Sequence, residues 1–210
     1  MLISESKIKS PTSVLKTHLY TIEMKQKIKN FSLRTSIWAF AIPMVIFFIV
    51  MSFILIPKLQ LLLGEMQLLD TMFKGYDPAY VQQLFDKLQI EGQENYCSLE
   101  LYADIPFILL YTVTFTILIT RLLVKNQLWD TKLYYSLLLP VLAGIFDLLE
   151  NIGIIKMLTD KHAITEEIVK LTSYSTILKG YFLPLTAFTL LSQLGIMVYK
   201  AVRSRIKAAR

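Results

Sequence analysis

Residues Leu137–Ile155 read LLLPVLAGIFDLLENIGII. With its flanking residues the run is long enough to cross a hydrocarbon core, which takes about 20 residues of helix. Asp147, Glu150 and Asn151 interrupt it. In a helix, spacings of three and four put these three polar groups on one face. A charge at the centre of a bilayer costs roughly 3 kcal/mol on insertion scales. Two carboxyls in one span therefore require partners, protons or a ligand. The stretch points to a membrane helix and locates a site without naming a reaction.

The rest of the chain agrees with a membrane setting. It has 210 residues, 54% hydrophobic and 18% charged, where soluble domains carry about 25% charged residues. Its mean hydropathy is +0.51. The apolar residues gather into four segments, Ser36–Pro57, Ile105–Val124, Leu133–Ile155 and Tyr174–Tyr199. None alternates with the period of two expected of a barrel strand. The expected fold is therefore all-α: a polytopic membrane protein with four transmembrane helices and a helical outer loop between the first two. Its parts are a basic tail at 1–34, a transmembrane domain at 35–200 containing the loop at 58–103, and a basic tail at 201–210. Each span holds a proline, Pro43, Pro106, Pro140 or Pro184, as membrane helices tolerate. The first apolar run is too long and starts too late for a cleaved signal peptide.

Charge sets the expected orientation. The N-terminal tail carries Lys7, Lys9, Lys16, Lys25, Lys27, Lys29 and Arg34, and the C-terminal tail Lys200, Arg203, Arg205, Lys207 and Arg210. The second connection adds Arg121, Lys125 and Lys132, while the first loop is acidic. The positive-inside rule then puts both termini in the cytoplasm of a multi-pass membrane protein. The net charge of +6 belongs to the inner face, where anionic lipids attract it. No aromatic-basic interleaving supports a nucleic-acid partner. In the N-terminal tail, Leu15, Leu19, Ile22 and Ile28 allow a weak amphipathic helix on the inner leaflet. A disordered basic arm is the favoured alternative.

In the outer loop, Leu59, Leu62, Leu63, Met66 and Leu69 continue a helical apolar pattern beyond the first span. After Gly75, Asp77 makes an N-cap with Pro78 at the first helical position. Tyr80, Val81, Leu84, Phe85 and Leu88 then form one face of a short amphipathic helix that Gly92 can end. That face needs cover, and the mouth of the bundle is the expected place.

Several chemistries drop out. A lone cysteine, Cys97, excludes an internal disulfide. His18 and His162 lie outside the spans, which excludes membrane haem ligation. No phosphate loop, zinc-protease motif or nucleophile elbow is present, and no cofactor is expected. Asp104, Asp147 and Glu150 suit a hard divalent ion, but Lys179 nearby competes with it, so no metal is expected. The pair Ala143–Gly144 suits close helix packing.

Depth sharpens the site. Asn151 lies five residues before Lys156, and Lys179 five residues after Tyr174. Each is roughly 8 Å inside the outer boundary at 1.5 Å per residue. Asp104 opens the second span from the same side. Pairing Lys179 with Asp147 or Glu150 lowers the cost of both. The remaining excess of carboxyls calls for protons or a cation. Lys179, Thr186 and Gln193, spaced by seven, give the fourth helix a polar stripe, and Asp104 and Tyr111 share a face of the second. The candidate site is thus Asp104, Tyr111, Asp147, Glu150, Asn151, Lys179, Thr186 and Gln193, with the first span packed outside it.

The strings GYDPAYVQQLFDKLQIEGQENY, DIPFILLY and PVLAGIFDLLEN and the Lys179 segment resemble a family of small bacterial four-span membrane proteins. Its marks are an Asp at the second span and Asp-x-x-Glu-Asn in the third. The resemblance covers roughly Gly75 to Lys179. Gly92–Gln93 stands where the family often has Gly–Arg. The resemblance implies Asp104, Asp147, Glu150, Asn151 and Lys179 as marked positions and a bacterial inner (plasma) membrane as the location, and no substrate.

Three classes of function follow. Buried charges can be interhelical glue in a structural or partner-binding subunit, although intramembrane polar pairs contribute only about 0.6 kcal/mol on average in one system. The site can instead bind a proton, a small cation or an amine-bearing lipid. As a third class, a lipid-modifying enzyme would use Glu150 or Asp147 as general acid/base, with Lys179 stabilising charge.

Overall fold

The computed structural model describes residues 11–208, with side chains at 20 and 22–207. Among them every regular element is helical. We number the α-helices α1 (Pro11–Arg34), α2 (Trp38–Leu63), α3 (Pro78–Leu99), α4 (Ile105–Lys125), α5 (Leu138–Thr159) and α6 (Glu166–Ala208). Four helical stretches are long and apolar enough to cross a membrane: α2, the α3–α4 rod, α5 with its preceding 3₁₀ turn, and α6. The chain is an all-α polytopic bundle. Helices α4, α5 and α6 pack on one another, with α2 laid against α4. Most of α2 faces outward, with Ile42, Val45, Ile46, Phe48, Ile49, Phe53 and Ile54 exposed, as a lipid-facing helix requires.

Two helices contain a wide π turn, at Met51–Leu55 in α2 and at Glu100–Asp104 between α3 and α4. Each ends two residues before a proline, Pro57 and Pro106. A proline ring clashes with the carbonyl four residues back and donates no hydrogen bond. Widening the turn relieves both problems without breaking the rod.

One end of the bundle, here the loop end, carries residues 64–104. Gly64, at φ 62°, ends α2. Asp77 caps α3 by accepting from the Tyr80 N–H at 2.8 Å, with Pro78 at the first helical position. Val81, Leu84, Phe85 and Leu88 are buried against Leu59, Leu63, Ile154, Met157 and Val169. Gly92 does not end this helix. The rod breaks earlier, at Gln89 (φ 56°), and resumes. The Gln93 amide then donates to the Phe85 carbonyl at 2.7 Å, satisfying an acceptor in the broken turn. Gly92 instead packs closely, since a Cβ there would stand 3.3 Å from Leu62 Cδ1. Gly75 has φ +88°, and a Cβ on it would meet Ser173 Oγ at 2.9 Å. The next residue, Tyr76, donates its N–H to that oxygen at 2.9 Å, laying the loop on α6.

The other end, the tail end, gathers α1, residues 126–137 and the end of α6. Here the favoured expectation of a disordered arm is corrected, because residues 11–34 are helical. The docking is polar and aromatic. Arg121 donates to the Ser32 and Thr35 carbonyls. Lys25 pairs with Asp130 at 2.9 Å and sits 5.2 Å above the Tyr134 ring. Ile28 packs beside Trp129 and Leu137, while Ile22 is exposed. The side chains of Leu15 and Leu19 lie outside the described residues. Deeper in the bundle, Gly144 faces Thr112 so closely that a Cβ would stand 2.2 Å from its hydroxyl, the close packing expected of Ala143–Gly144.

Candidate functional site

The polar face of α5 meets α6 and the start of α4. Lys179, on α6, places its ammonium 2.8 Å from Asp147 Oδ1 and 2.5 Å from Glu150 Oε2. The first contact is a directed hydrogen bond. The second is an ion pair off the donor direction, so Glu150 Oε2 has no directed hydrogen bond. Each carboxylate has a second partner. Tyr111, on α4, donates to Asp147 Oδ2 at 2.9 Å, and Thr176, one turn before Lys179, donates to Glu150 Oε1 at 2.6 Å. Asn151 donates its amide to Asp104 Oδ2 at 2.7 Å. Glu150 and Asn151 are completely buried, and Asp104, Asp147 and Lys179 nearly so.

The structure therefore brings Asp104, Tyr111, Asp147, Glu150, Asn151 and Lys179 together. Thr186 and Gln193 do not belong with them, and their inclusion is corrected. Both are buried, so the stripe does face inward. A step of seven residues keeps the face but moves about 10 Å along the helix. Thr186 bonds back to the Phe182 carbonyl in its own helix. Gln193 accepts from Asn126 at 2.9 Å near the tail end. The groups close on one another in pairs, and none of the cavities at Phe47–Ala103, Lys125–Arg205, Ile90–Lys161, Lys27–Val141 and Lys74–Ile177 is lined by Asp147, Glu150 or Lys179.

Five participants were hidden from sequence reasoning: Asp70, Tyr76, Tyr96, Glu100 and Thr176. Tyr96, on α3, donates to Asp70 Oδ1 at 3.0 Å and accepts from the Leu69 N–H. Tyr76 places its hydroxyl 3.5 Å from Thr176 Oγ1. Glu100 lies in the π turn, one helical step from both Tyr96 and Asp104. It is completely buried, and neither of its carboxyl oxygens has a hydrogen-bond partner. The charges of Asp70, Asp104, Glu150 and Lys179 all reach it. Asn151 Oδ1 is unpartnered as well. A signal for Glu100 was present in the spacing of Tyr96, Glu100 and Asp104, four residues apart on one helix face.

The electrostatics are lopsided. Four buried carboxyls and the half-buried Asp70 share one ammonium. Asp70, in the loop, is held above the usual carboxylate range by loss of water, with Lys179 and the Tyr96 hydroxyl pulling the other way. Burial likewise pushes the Tyr76 hydroxyl up, so it stays a neutral hydrogen-bonding group. The cluster thus has two parts. One is a closed clasp, Lys179–Asp147–Glu150, tying α5 to α6. The other is an acceptor-rich region, Glu100–Asp104–Asn151, in which the Asn151 amide serves Asp104 while both Glu100 oxygens and Asn151 Oδ1 find no donor among the described residues. No known protein family, curated protein or solved structure matches this chain.

Proposed function

We propose that this membrane protein binds protons at the acceptor-rich half of its cluster, with Glu100 the principal acceptor and Asp104 its neighbour. The carrying observation is the Glu100 carboxyl, completely buried with both oxygens unpartnered. An ionised carboxylate there would forfeit its hydration, a penalty of several kcal/mol, with no hydrogen bond in return. A proton removes the penalty and converts one oxygen into a donor for a neighbouring acceptor. Among the described residues no group of three His, Cys, Asp or Glu side chains could hold a metal ion. That favours a proton over a multiply charged cation. The half-buried Asp70, bonded to Tyr96, gives the cluster its contact with the loop end, the side from which protons would exchange. With the basic tails at the opposite end, this side would be the outer one in a bacterial plasma membrane.

The clasp supports a structural role for the other half of the cluster. Lys179 satisfies two carboxylates on α5 and fixes the facing of α5 and α6, the glue-like use of buried charge. Lipid turnover with Glu150 or Asp147 as acid/base has less support, since both are engaged by Lys179 and no described cavity reaches them.

The test is the infrared band of protonated carboxylic acids in the purified protein at neutral pH, with Glu100→Gln as the variant. Loss of one protonated-carboxyl band, with thermal stability kept, is the expected result. An unchanged band intensity in a folded Glu100→Gln protein would mean that Glu100 carries no proton, and the proposal would fail.

A further inference from the structure

The two π turns do more than accommodate prolines. Between α2 and the α3–α4 rod lies a groove of about 450 Å³, within the roughly 300–1,000 Å³ range of ligand sites. Both wide turns contribute walls. Leu55 comes from the first, Tyr102 and Ala103 from the second, with Phe47 and Val50 deeper along α2. π turns in helices recur at functional sites. Here both line the same groove.

The lining is zoned along the length of α2. The side toward the middle of α2 is apolar, and the loop-end side carries Lys58 and Asn95. Lys58 is the sole charged residue in the lining, and it makes no ion pair among the described residues. Tyr102, in the same lining, is 71% exposed. An apolar slot open to the hydrocarbon, ending at one unpaired cation at headgroup level, has the polarity of an anionic phospholipid.

We propose that this groove holds one acyl chain of an anionic phospholipid drawn from the surrounding leaflet, with its headgroup phosphate on Lys58. The occupant enters sideways from the bilayer and needs no aqueous opening. Its chain lies against Val50 and Tyr102, and its headgroup at Asn95 and Lys58. The site goes beyond proton binding at Glu100 and does not depend on it, since Lys58 takes no part in the buried cluster.

Native mass spectrometry of the detergent-solubilised full chain tests this, with phosphatidylglycerol and phosphatidylcholine of equal chain length supplied together. The wild-type protein should retain one phosphatidylglycerol in preference to phosphatidylcholine. Lys58→Gln should reduce that preference about fivefold, the weight of one basic residue at an anionic membrane surface. Lys170→Gln, which alters an exposed lysine elsewhere at the loop end, should leave it intact. Ala103→Phe, which fills the slot from its wall, should lower retention of both lipids. Equal retention of the two lipids by wild type would overturn the proposal. So would equal losses in the Lys58 and Lys170 variants, or full phosphatidylglycerol retention by Lys58→Gln. Should Ala103→Phe fail to fold, photo-crosslinking of a chain-labelled phosphatidylglycerol to wild type decides the chain's position. Adducts at Val50 or Tyr102 support the groove, and adducts confined to other helices overturn it.

Discussion

Replacing Lys179 with Met removes the ammonium that lies 2.8 Å from Asp147 and 2.5 Å from Glu150. Methionine keeps most of the apolar stem, so the perturbation is chiefly one of charge. At an effective dielectric of about 20, a unit pair at these separations attracts by roughly 6 kcal/mol. Desolvating the charges consumes much of that. Breaking a buried pair typically costs about 3–5 kcal/mol, because an uncompensated charge is left behind. For a chain of this size that is a fall of roughly 6–20 °C in Tm. The two carboxylates are not equivalent bystanders. Asp147 keeps the Tyr111 hydroxyl and Glu150 keeps the Thr176 hydroxyl, so each retains one donor after the ammonium is gone. Adding Glu150→Gln or Asp147→Asn to Lys179→Met should each recover part of the loss. The triple variant, with no charge left in the clasp, should come closest to wild type. The assay is thermal unfolding of all combinations in one detergent at fixed pH, read as double-mutant cycles. Coupling above about 0.5 kcal/mol is expected for both pairs. Strictly additive losses for both would refute a shared clasp.

Other outcomes follow from the same contacts. The raised Asp70 carboxyl binds its proton more tightly in the folded protein than in the unfolded chain. Its contribution to stability is therefore full below the unfolded value of about 3.9 and is lost as pH rises through the folded one. Tm should fall across that interval, and Asp70→Asn should flatten the fall in a pH series. Gly153→Ala places a Cβ 2.0 Å from Thr172 Oγ1 and 2.9 Å from Thr172 Cβ. Rotating the threonine cannot relieve both contacts, so a loss of about 1–3 kcal/mol is expected in the same unfolding assay. Cys97 lines a cavity at the loop end. With that end outside, an impermeant maleimide should label it in intact cells, and labelling only in inverted vesicles would reverse the topology.

The spans were legible because about 20 consecutive apolar residues leave few alternatives. The Lys179 clasp was legible too, since consecutive spans run in opposite directions and the distance of each charge from its span's end then gives its relative depth. Asp70 and Glu100 were misread for the same reason. In sequence they count as loop acids that make the first connection negative, and acidity alone does not separate a solvated carboxylate from one folded inward. Thr186 and Gln193 show the complementary failure, in which helical periodicity reports a face without a height. Nor does a proline announce how its clash is resolved; Pro57 and Pro106 follow wide turns, whereas Pro43 lies within regular α-helix. The N-terminal helix docks through Lys25 and Ile28 on Asp130, Trp129 and Tyr134, and Arg121 holds its end; these partners are too distant in the chain for local pattern to reveal.

The wide turn at Glu100–Asp104 fixes a rotational phase. Relative to an α-helical turn it accommodates one extra residue, and each α-helical residue advances the rotation by about 100°. Deleting a single residue there would return this turn to α-helical pitch and swing the segment before it by about that angle relative to α4. Val81, Leu84, Phe85 and Leu88 would leave the face they now share with α2, α5 and α6, and Tyr96 would turn away from Asp70. The chain is thus more sensitive to length than to composition at this point. A conservative exchange disturbs one contact, whereas a one-residue gap re-indexes every contact on the loop-end side.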